Sequence, residues 1–242
     1  MKAIYVGRIA FTEMDSRTEK TAVKKGKVIW DVNVSLDGFI AKPDDSPGRL
    51  FDWYFKGDKE SAYQSDKYPF KLSGDDVKIF DGSTKSIGAV VAGRRTYDST
   101  KGWRASYYNP VPMFIVTHNV PQVVPEGKTK FTFVTDGIES AIKQAKTAAD
   151  GKAVNLLGAN VAKQVMEVWL LDEFHVHIAP FFLGDGIRLY DRAGSQQVQF
   201  ERISVAVSSS GWTHMEFKLK NLSSEGSSIE NLRNEGAPTS WK

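Results

Sequence analysis

Two arginines stand directly after a short apolar segment in the stretch "AVVAGRRT", residues 89–96. A guanidinium group grips a phosphate through two parallel N–H donors, so Arg94 and Arg95, with Gly93 and Thr96 beside them, could hold an anion. The alternative is an ordinary turn with both arginines in solvent. Phosphate binding at a strand end is therefore the first chemistry that this sequence indicates.

Two further predicted strand ends carry residues of a similar kind. One is followed by Thr117 and His118, and the other by four residues that open a predicted helix, Gly158, Ala159, Asn160 and Val161. Small residues let a phosphate approach the backbone, and the free N–H groups at a helix N-terminus favour negative charge. The alternative for Gly158 is a tight turn. Taken together, the ends at Gly93 and Gly158 favour a dinucleotide, although neither a G-x-G-x-x-G fingerprint nor a P-loop is present.

The elements that must position these residues follow an α/β pattern. Apolar or alternating segments predict strands at 27–35, 87–93, 111–118, 130–136, 153–158 and 172–180. Helical spacing predicts helices over 136–151, with Asp136 as its N-cap, and over 159–170, and a third helix could begin at Ser73. Segments 198–209 and 211–220 predict a closing antiparallel hairpin. We expect a mostly parallel central sheet with helices on both faces, and ligands at its carboxyl edge.

Composition and charge narrow the function classes. The chain of 242 residues has no cysteine, which excludes disulfides, thiolate metal sites and a cysteine nucleophile, and fits a cytoplasmic protein. Of the net charge of +3, residues 1–27 alone contribute +4, from seven Lys/Arg and three Asp/Glu. We predict a basic extension (1–27), one domain (28–220) and a polar tail (221–242). Neither a nucleic-acid partner nor a membrane partner is expected.

Several segments resemble the reductase domain of riboflavin biosynthesis, which shares the dihydrofolate reductase fold. The stretch "AGRRTYDS" (92–99) resembles the Gly-Arg-x-Thr segment of dihydrofolate reductase. The stretch "SLDGFIA" (35–41) resembles the Ser-Leu-Asp-Gly-x-Ile-Ala signature of the riboflavin reductase domain, and residues 170–190 resemble its later part. Because order and spacing agree over residues 28–219, we expect a stand-alone, dihydrofolate reductase-like member of this family.

The resemblance implies an NADPH cofactor along the carboxyl edge of the sheet. Residues 93–96 would meet the adenosine phosphates, residues 117–118 would lie near the 2′-phosphate, and residues 158–161 would hold the pyrophosphate. Three residues of the signature would pass beside the nicotinamide, namely Ser35, Gly38 and Ile40.

Two acids are candidates for the proton donor that hydride transfer to a C=N or C=O bond requires. Asp37 is the first, because the signature places it beside the nicotinamide; its alternative is a plain Asp-Gly turn. Asp58 is the second, because dihydrofolate reductase keeps its acid a few residues after a loop tryptophan, which Trp53 would be. Asp37, Phe39 and Trp53 are the candidate substrate contacts, with the two aromatic rings stacking on a flat heterocycle or packing in the core.

The residues that precede the signature differ from those of the riboflavin enzymes. Those enzymes usually carry a lysine shortly before Ser-Leu-Asp-Gly and arginines for a ribose phosphate, whereas here Trp30, Asp31, Val32 and Asn33 lead in. We therefore predict an NADPH-dependent reductase of a small pteridine- or pyrimidine-like heterocycle. The alternatives are a dihydrofolate reductase proper and a non-catalytic NADP-binding or assembly protein.

Two other features bear on metals and assembly. His175 and His177 alternate on one predicted strand, a spacing that can bind a metal, but no third ligand is evident and we predict no metal site. The closing hairpin would leave an exposed edge strand, which predicts a homodimer.

Overall fold

The computed structural model describes residues 26–66, 69–191 and 198–220. Apart from residues 26 and 27, the predicted basic extension lies outside the described residues, as does the whole predicted tail. The domain boundaries therefore stay a prediction.

Twelve strands and four α-helices make up the described chain. The strands are β1 (Val28–Ser35), β2 (Phe39–Ala41), β3 (Lys59–Glu60), β4 (Lys71–Leu72), β5 (Ile87–Gly93), β6 (Met113–Val116), β7 (Phe131–Val134), β8 (Ala153–Leu157), β9 (Glu173–Ala179), β10 (Ile187–Arg188), β11 (Phe200–Val207) and β12 (Thr213–Leu219). The helices are α1 (Gly74–Ser86), α2 (Arg94–Ser99), α3 (Ile138–Ala148) and α4 (Ala159–Glu167), with 3-10 helices at Gly48–Tyr54 and Lys101–Ala105.

Eight of these strands form one sheet in the order β11-β12-β9-β1-β8-β5-β6-β7. Six neighbouring strands of the sheet run parallel to one another, namely β9, β1, β8, β5, β6 and β7. Strand β12 is antiparallel to both β9 and β11. The predicted mostly parallel sheet with a closing antiparallel hairpin is therefore confirmed. After β1 the chain adds β5, β6 and β7 on one side, returns to place β8 between β1 and β5, and then adds β9 and the β11–β12 hairpin on the other side. A crevice at such a reversal is where α/β sheets bind ligands.

Helices α3 and α4 cover one face of the sheet. Their apolar residues, among them the buried Ile142 and Val165, pack on the inward side chains of β1, β5 and β8 in a single core. Helix α3 begins at Ile138, after Gly137 at φ +102°, and has no side-chain cap. The predicted N-cap at Asp136 is therefore wrong, because the glycine turns the chain before the aspartate can reach the first free N–H groups.

Helix α1 and the 3-10 helix at Gly48–Tyr54 cover the other face, so helices lie on both faces as predicted. Helix α1 begins after Ser73, whose hydroxyl accepts from the backbone N–H of Asp76, and this confirms the helix expected from Ser73. Between α1 and the sheet lies an aromatic layer that contains Trp53, Phe70 and Phe80. This layer forms a large part of the site described next.

Strand β11 is the edge of the sheet and is largely exposed along its length. Its side chains Ile203, Val205 and Val207 are 50 %, 48 % and 71 % exposed. Within the described ranges, none of the helices is both long and apolar enough to serve as a membrane span.

Candidate functional site

One large cavity runs along the carboxyl ends of the central strands. Its volume is about 1390 Å³, whereas a pocket for one drug-sized ligand holds roughly 300–1,000 Å³. All ten residues predicted at the three strand ends line it: Gly93, Arg94, Arg95, Thr96, Thr117, His118, Gly158, Ala159, Asn160 and Val161. The fold therefore brings the predicted anion-binding residues together, with room left for a second molecule.

Gly158 forms a cradle at the N-terminus of α4. Its φ of +98° lies in the left-handed region, and a Cβ built there would come within 2.8 Å of Thr96 Oγ1. The helix has no side-chain cap, so its first backbone N–H groups are left for another acceptor. Because the glycine keeps this space open, the residues present fit a phosphate at the start of α4.

The two arginines differ in their partners. Arg94 Nε donates to both carboxylate oxygens of Asp98, at 2.8 and 2.9 Å, and its Nη1 donates to the Asn119 carbonyl at 2.6 Å. Arg95 Nε donates to Asp45 across the cavity mouth at 2.8 Å. Arg94 is thus held by its own helix and the next strand end, whereas Arg95 bridges to the loop after β2.

The turn after β6 is held by hydrogen bonds between its own residues. Thr117 is buried, and its hydroxyl donates to the Asn119 carbonyl at 2.8 Å and accepts from the Asn119 N–H. The same carbonyl accepts from Arg94, so the two strand ends are joined. His118 is exposed on the cavity wall beside them. Thr117 therefore shapes the turn, and His118 is the member of the pair that faces solvent.

An aromatic chamber forms the other end of the cavity, with walls of Trp53, Tyr54, Phe70, Phe80, Tyr107 and Tyr108. Trp53 Nε1 donates to Asn33 Oδ1 at 2.8 Å, and Asn33 Nδ2 donates to the Tyr54 hydroxyl at 3.0 Å. Burial raises the pKa of Tyr108 to about 12, so its phenol is neutral. Rings fixed in this way offer a flat, apolar slot for a planar molecule.

Asp31 stands on the sheet floor of this chamber and lines the cavity. Its Oδ2 accepts from Ser83 Oγ at 2.7 Å, and its Oδ1 lies 2.9 Å from His177 Nε2. Burial raises the pKa of Asp31, but the charge and hydrogen bond of His177 outweigh burial and lower it to about 2. The cavity floor therefore presents an ionised carboxylate beside an imidazole.

The hydrogen bonds continue away from the cavity. His177 Nδ1 lies 2.7 Å from His214 Nδ1, and His214 Nε2 lies 3.0 Å from Asp76 Oδ1. Both imidazoles are buried, at 6 % and 4 % exposure, and Asp76 is fully buried. Two carboxylates and two imidazoles thus form one continuous buried network, contributed by β1, β9, β12 and α1.

The sequence of residues 26–214 matches the RibD C-terminal domain model. The chain belongs to the RibD C-terminal domain family. The family, together with the sheet order, confirms the predicted dihydrofolate reductase-like α/β class.

Known relatives cover most of the chain. The uncharacterized protein YwjB of Bacillus subtilis (strain 168) is 26 % identical over 167 residues, which are 68 % of this chain and 82 % of YwjB. A structure named "Putative riboflavin biosynthesis protein", from Shewanella sp. PV-4, has a TM-score of 0.61 at 18 % identity and covers 81 % of this chain and 100 % of its own. A pyrimidine reductase-like protein of Corynebacterium diphtheriae has a TM-score of 0.52 at 12 % identity and covers 82 % and 94 %.

Most residues of the Ser-Leu-Asp-Gly-x-Ile-Ala signature (35–41) lie behind the cavity wall rather than on it. Asp37 accepts from the Ser35 hydroxyl, from the Leu183 N–H at 3.0 Å and from the Gly184 N–H at 2.7 Å. Burial raises the pKa of Asp37, but these hydrogen bonds outweigh it and lower the pKa to about 2. Asp37 therefore ties the signature turn to the turn after β9. Neither Ser35, Asp37 nor Gly38 lines the cavity.

The other predicted contacts divide between cavity and surface. Ile40 and Trp53 line the cavity. Phe39 is buried beneath Arg188, whose guanidinium lies 4.9 Å from the ring centroid, and does not line it. Asp58 is 77 % exposed beside Lys59 and belongs to a separate small pocket. Of the predicted substrate contacts, only Trp53 faces the chamber.

His175 and His177 do not share a partner. His175 lies 3.2 Å from Glu173, while His177 faces Asp31 and His214. Among residues 26–66, 69–191 and 198–220, no three His, Asp or Glu side chains are grouped so as to hold a metal ion. The imidazole on the cavity floor belongs to the hydrogen-bonded network instead.

Asp31 and His214 are site residues that the sequence did not single out. The signal for Asp31 was its position within "VIWDVNVS", an acid in the middle of a strand with apolar neighbours. Such an acid needs a partner when it is buried. For His214 no local signal exists, because its partner lies 37 residues away on a strand whose register is set by the fold.

Proposed function

We propose that the protein is an NADPH-dependent reductase of a flat heterocycle that carries no phosphate. The observation that supports this most strongly is one cavity that joins an anion-binding end at α2 and α4 to an aromatic chamber with a carboxylate floor. Reductases of this family use a nicotinamide cofactor, which when bound would supply a hydride. The protein's own groups would bind and orient the cofactor and the heterocycle and supply the proton.

The cofactor end offers a separate contact for each phosphate. The free N–H groups at the start of α4 suit a pyrophosphate, and Gly158 gives it backbone access. Arg94, Arg95 and His118 are the cationic candidates for the adenosine phosphates and the 2′-phosphate. We propose that Arg95 exchanges its contact with Asp45 for a phosphate, since an exposed ion pair contributes little on its own.

The chamber favours a nitrogen heterocycle without a phosphate. Arg94, Arg95 and His118, at the strand ends, and His177, on the floor, are the cationic residues of the described cavity wall. His177 already lies 2.9 Å from Asp31, so none of the four is free at the chamber to hold a phosphate. An ionised Asp31 would accept N–H groups of a pteridine-like ring. This favours a dihydrofolate reductase-like substrate over the phosphoribosyl pyrimidine of riboflavin synthesis.

Asp31 is our proposed substrate contact, and the group through which a proton would pass to the substrate, in place of Asp37 and Asp58. It is the one of the three carboxylates that both lines the cavity and touches an imidazole. Asp37 remains a signature residue whose hydrogen bonds hold a turn, and Asp58 faces a different pocket. Trp53, and behind the wall Phe39, would set the shape of the slot.

Cofactor binding is tested by titrating the purified protein with NADPH and with NADH and following cofactor fluorescence. We expect tighter binding of NADPH, and a loss of that preference in Arg95→Ala and Arg94→Ala. Arg202→Ala is the control, because Arg202 is exposed on the edge strand β11, away from the cavity. Equal affinity for the two cofactors in the wild type, or unchanged NADPH affinity in both cavity variants, contradicts the proposal.

Turnover separates the proposal from its alternatives. NADPH oxidation is followed with dihydrofolate, with 7,8-dihydropterin and with 5-amino-6-(5-phosphoribosylamino)uracil. We expect turnover of an unphosphorylated pterin, and turnover of dihydrofolate would make the protein a dihydrofolate reductase. Exclusive use of the phosphoribosyl compound overturns the substrate proposal. Binding of NADPH without oxidation by any of the three favours the non-catalytic alternative.

We further propose that the edge strand β11 pairs with a second copy of the chain. Its exposed Ile203, Val205 and Val207 form an apolar row on an open edge, a feature that invites strand pairing. Val205→Lys should convert a dimer to a monomer in light scattering, with NADPH affinity retained. A monomeric wild type at micromolar concentration contradicts this proposal.

A further inference from the structure

We propose that His177 and His214 share one extra proton between Asp31 and Asp76, and that this stored proton is delivered through Asp31 to the substrate. The proposal rests on the proposed reductase function, and it adds the source of the proton. It makes Asp31 the catalytic acid, His177 the carrier, and His214 with Asp76 the positioning groups.

The proton count follows from the hydrogen-bond partners. Each outer Nε2 faces a carboxylate oxygen, at 2.9 Å for His177 and 3.0 Å for His214, and an ionised carboxylate can only accept. Both Nε2 atoms must therefore carry hydrogen. The two Nδ1 atoms, 2.7 Å apart, need a third hydrogen between them, because two lone pairs at that distance repel. Three protons on four ring nitrogens make the pair an imidazolium.

The surroundings of the pair favour this charge. The pKa of Asp76 is raised by burial but lowered to about 2 by hydrogen bonds from His214 and from serine hydroxyls, and the pKa of Asp31 is also about 2. One positive charge thus lies between two negative ones. The other titratable groups around the pair are Tyr54 from the 3-10 helix, Tyr107 and Tyr108 from the loop before β6, Glu173 and His175 on β9, and Glu216 on β12.

The indole of Trp53 lies over the pair. Its ring centroid is 5.0 Å from that of His177 and 4.9 Å from that of His214. Asp31 and His177 line the large cavity, whereas His214 does not and Asp76 lines only the separate small pocket that also holds Asp58. The stored proton therefore has its exit toward the chamber, at the Asp31 end.

The delivery step balances as follows. Reduction of a C=N bond adds a hydride, which a bound nicotinamide would supply, to carbon, moves the π electron pair to nitrogen and adds one proton to that nitrogen. The Nε2 hydrogen of His177 moves to the ionised Asp31 carboxylate, and the carboxyl group so formed gives this proton to the nitrogen. The histidine pair is left neutral with two protons. Once product leaves, water in the cavity returns a proton to His177 through Asp31.

The stored proton is counted directly by NMR of protein labelled with ¹⁵N-histidine. The chain has four histidines, so single His→Gln variants assign every ring. We expect three N–H protons on the pair at pH 7, one of them strongly downfield. In Asp76→Asn the third proton should leave at lower pH than in the wild type, since an opposite charge is removed. Asp75→Asn, exposed on the same helix turn, should change nothing.

The pH dependence of NADPH oxidation with 7,8-dihydropterin links the store to the reaction. Turnover should fall as pH rises through the midpoint of the NMR transition, and both should move together in Asp76→Asn. His214→Gln provides a second variant, in which the shared proton is lost and the fall comes at lower pH. Two protons on the wild-type pair, or an activity limb that stays fixed when the NMR midpoint moves, overturns the proposal.

The two proposals fail in different experiments. If the protein oxidises NADPH but the histidine pair carries only two protons, the proposed reductase function is retained and the proposed stored proton is rejected. A pair with three protons in a protein that does not bind NADPH removes the reductase, and with it the delivery step.

Discussion

Replacing Asp76 by asparagine should make the protein less stable at neutral pH and less sensitive to acid. Asp76 is fully buried in α1, where its Oδ1 meets His214 and its Oδ2 accepts from Ser73 Oγ at 2.7 Å. Asparagine keeps the size and the acceptor oxygen but removes the negative charge. The variant therefore isolates the electrostatic part of the contact with His214.

The magnitude follows from the pKa of Asp76. A fall from 3.8 to about 2 corresponds to about 2 kcal/mol of folding free energy, since one pKa unit is worth about 1.4 kcal/mol. Because the folded-state pKa is lowered, this stability is fully present above pH 4 and is lost as pH falls toward 2. We expect Asp76→Asn to lose about 2 kcal/mol at pH 7 and to approach the wild type near pH 2.

Urea unfolding at several pH values between 7 and 2, followed by tryptophan fluorescence, measures this difference. Asp75→Asn is the matched control, because it removes the same charge one residue earlier in α1 from a side chain that is 63 % exposed. Its free energy of unfolding should stay within about 0.5 kcal/mol of the wild type. Identical pH profiles for the two variants would refute the electrostatic account of the Asp76 contact.

Two further changes test the cavity walls. Gly158→Ala puts a methyl group 2.8 Å from Thr96 Oγ1 at a φ of +98°, and should cost about 1–3 kcal/mol of stability and weaken NADPH binding in the fluorescence titration. Gly184→Ala is its control, with a φ of +87° and open space around the Cβ, and it should leave NADPH affinity unchanged. Trp53→Phe removes the donor to Asn33 and should lower the free energy of urea unfolding by about 1–3 kcal/mol; an unchanged value would show that the hydrogen bond adds nothing.

The grouping of the strand-end residues at the cavity could be predicted from sequence because its signals are local. An apolar strand that stops at Gly93 or Leu157 and is followed by small or cationic residues places those residues at the sheet edge. Because the neighbouring strands run parallel, their carboxyl ends lie at the same edge of the sheet, and the residues that follow them come together. All ten predicted residues line one cavity for that reason.

The chamber end could not be predicted in the same way, because its contacts are long-range. Asp37 lies in the strongest motif of the chain, yet its hydrogen bonds reach Leu183 and Gly184, so the motif reports a turn between distant segments. The partner of His177 is on β12, and the strand pairing that sets His214 opposite His177 is a property of the assembled sheet. Spacing along β9 alone suggested His175 as the companion.

The buried network is hard to explain by stability alone. Removing two carboxylates and two imidazoles from water costs several kcal/mol per charged group, and well-packed apolar residues often replace buried ion pairs without loss. The layer around the network is aromatic, so apolar side chains could have packed in the same positions. Asp31 meets the large cavity at one end, while Asp76, which has no exposed surface, lies against the separate small pocket at the other. Of the two carboxylates, Asp31 is the one with exposed surface in the large cavity, and this placement is the strongest argument for its proposed role toward a molecule bound there.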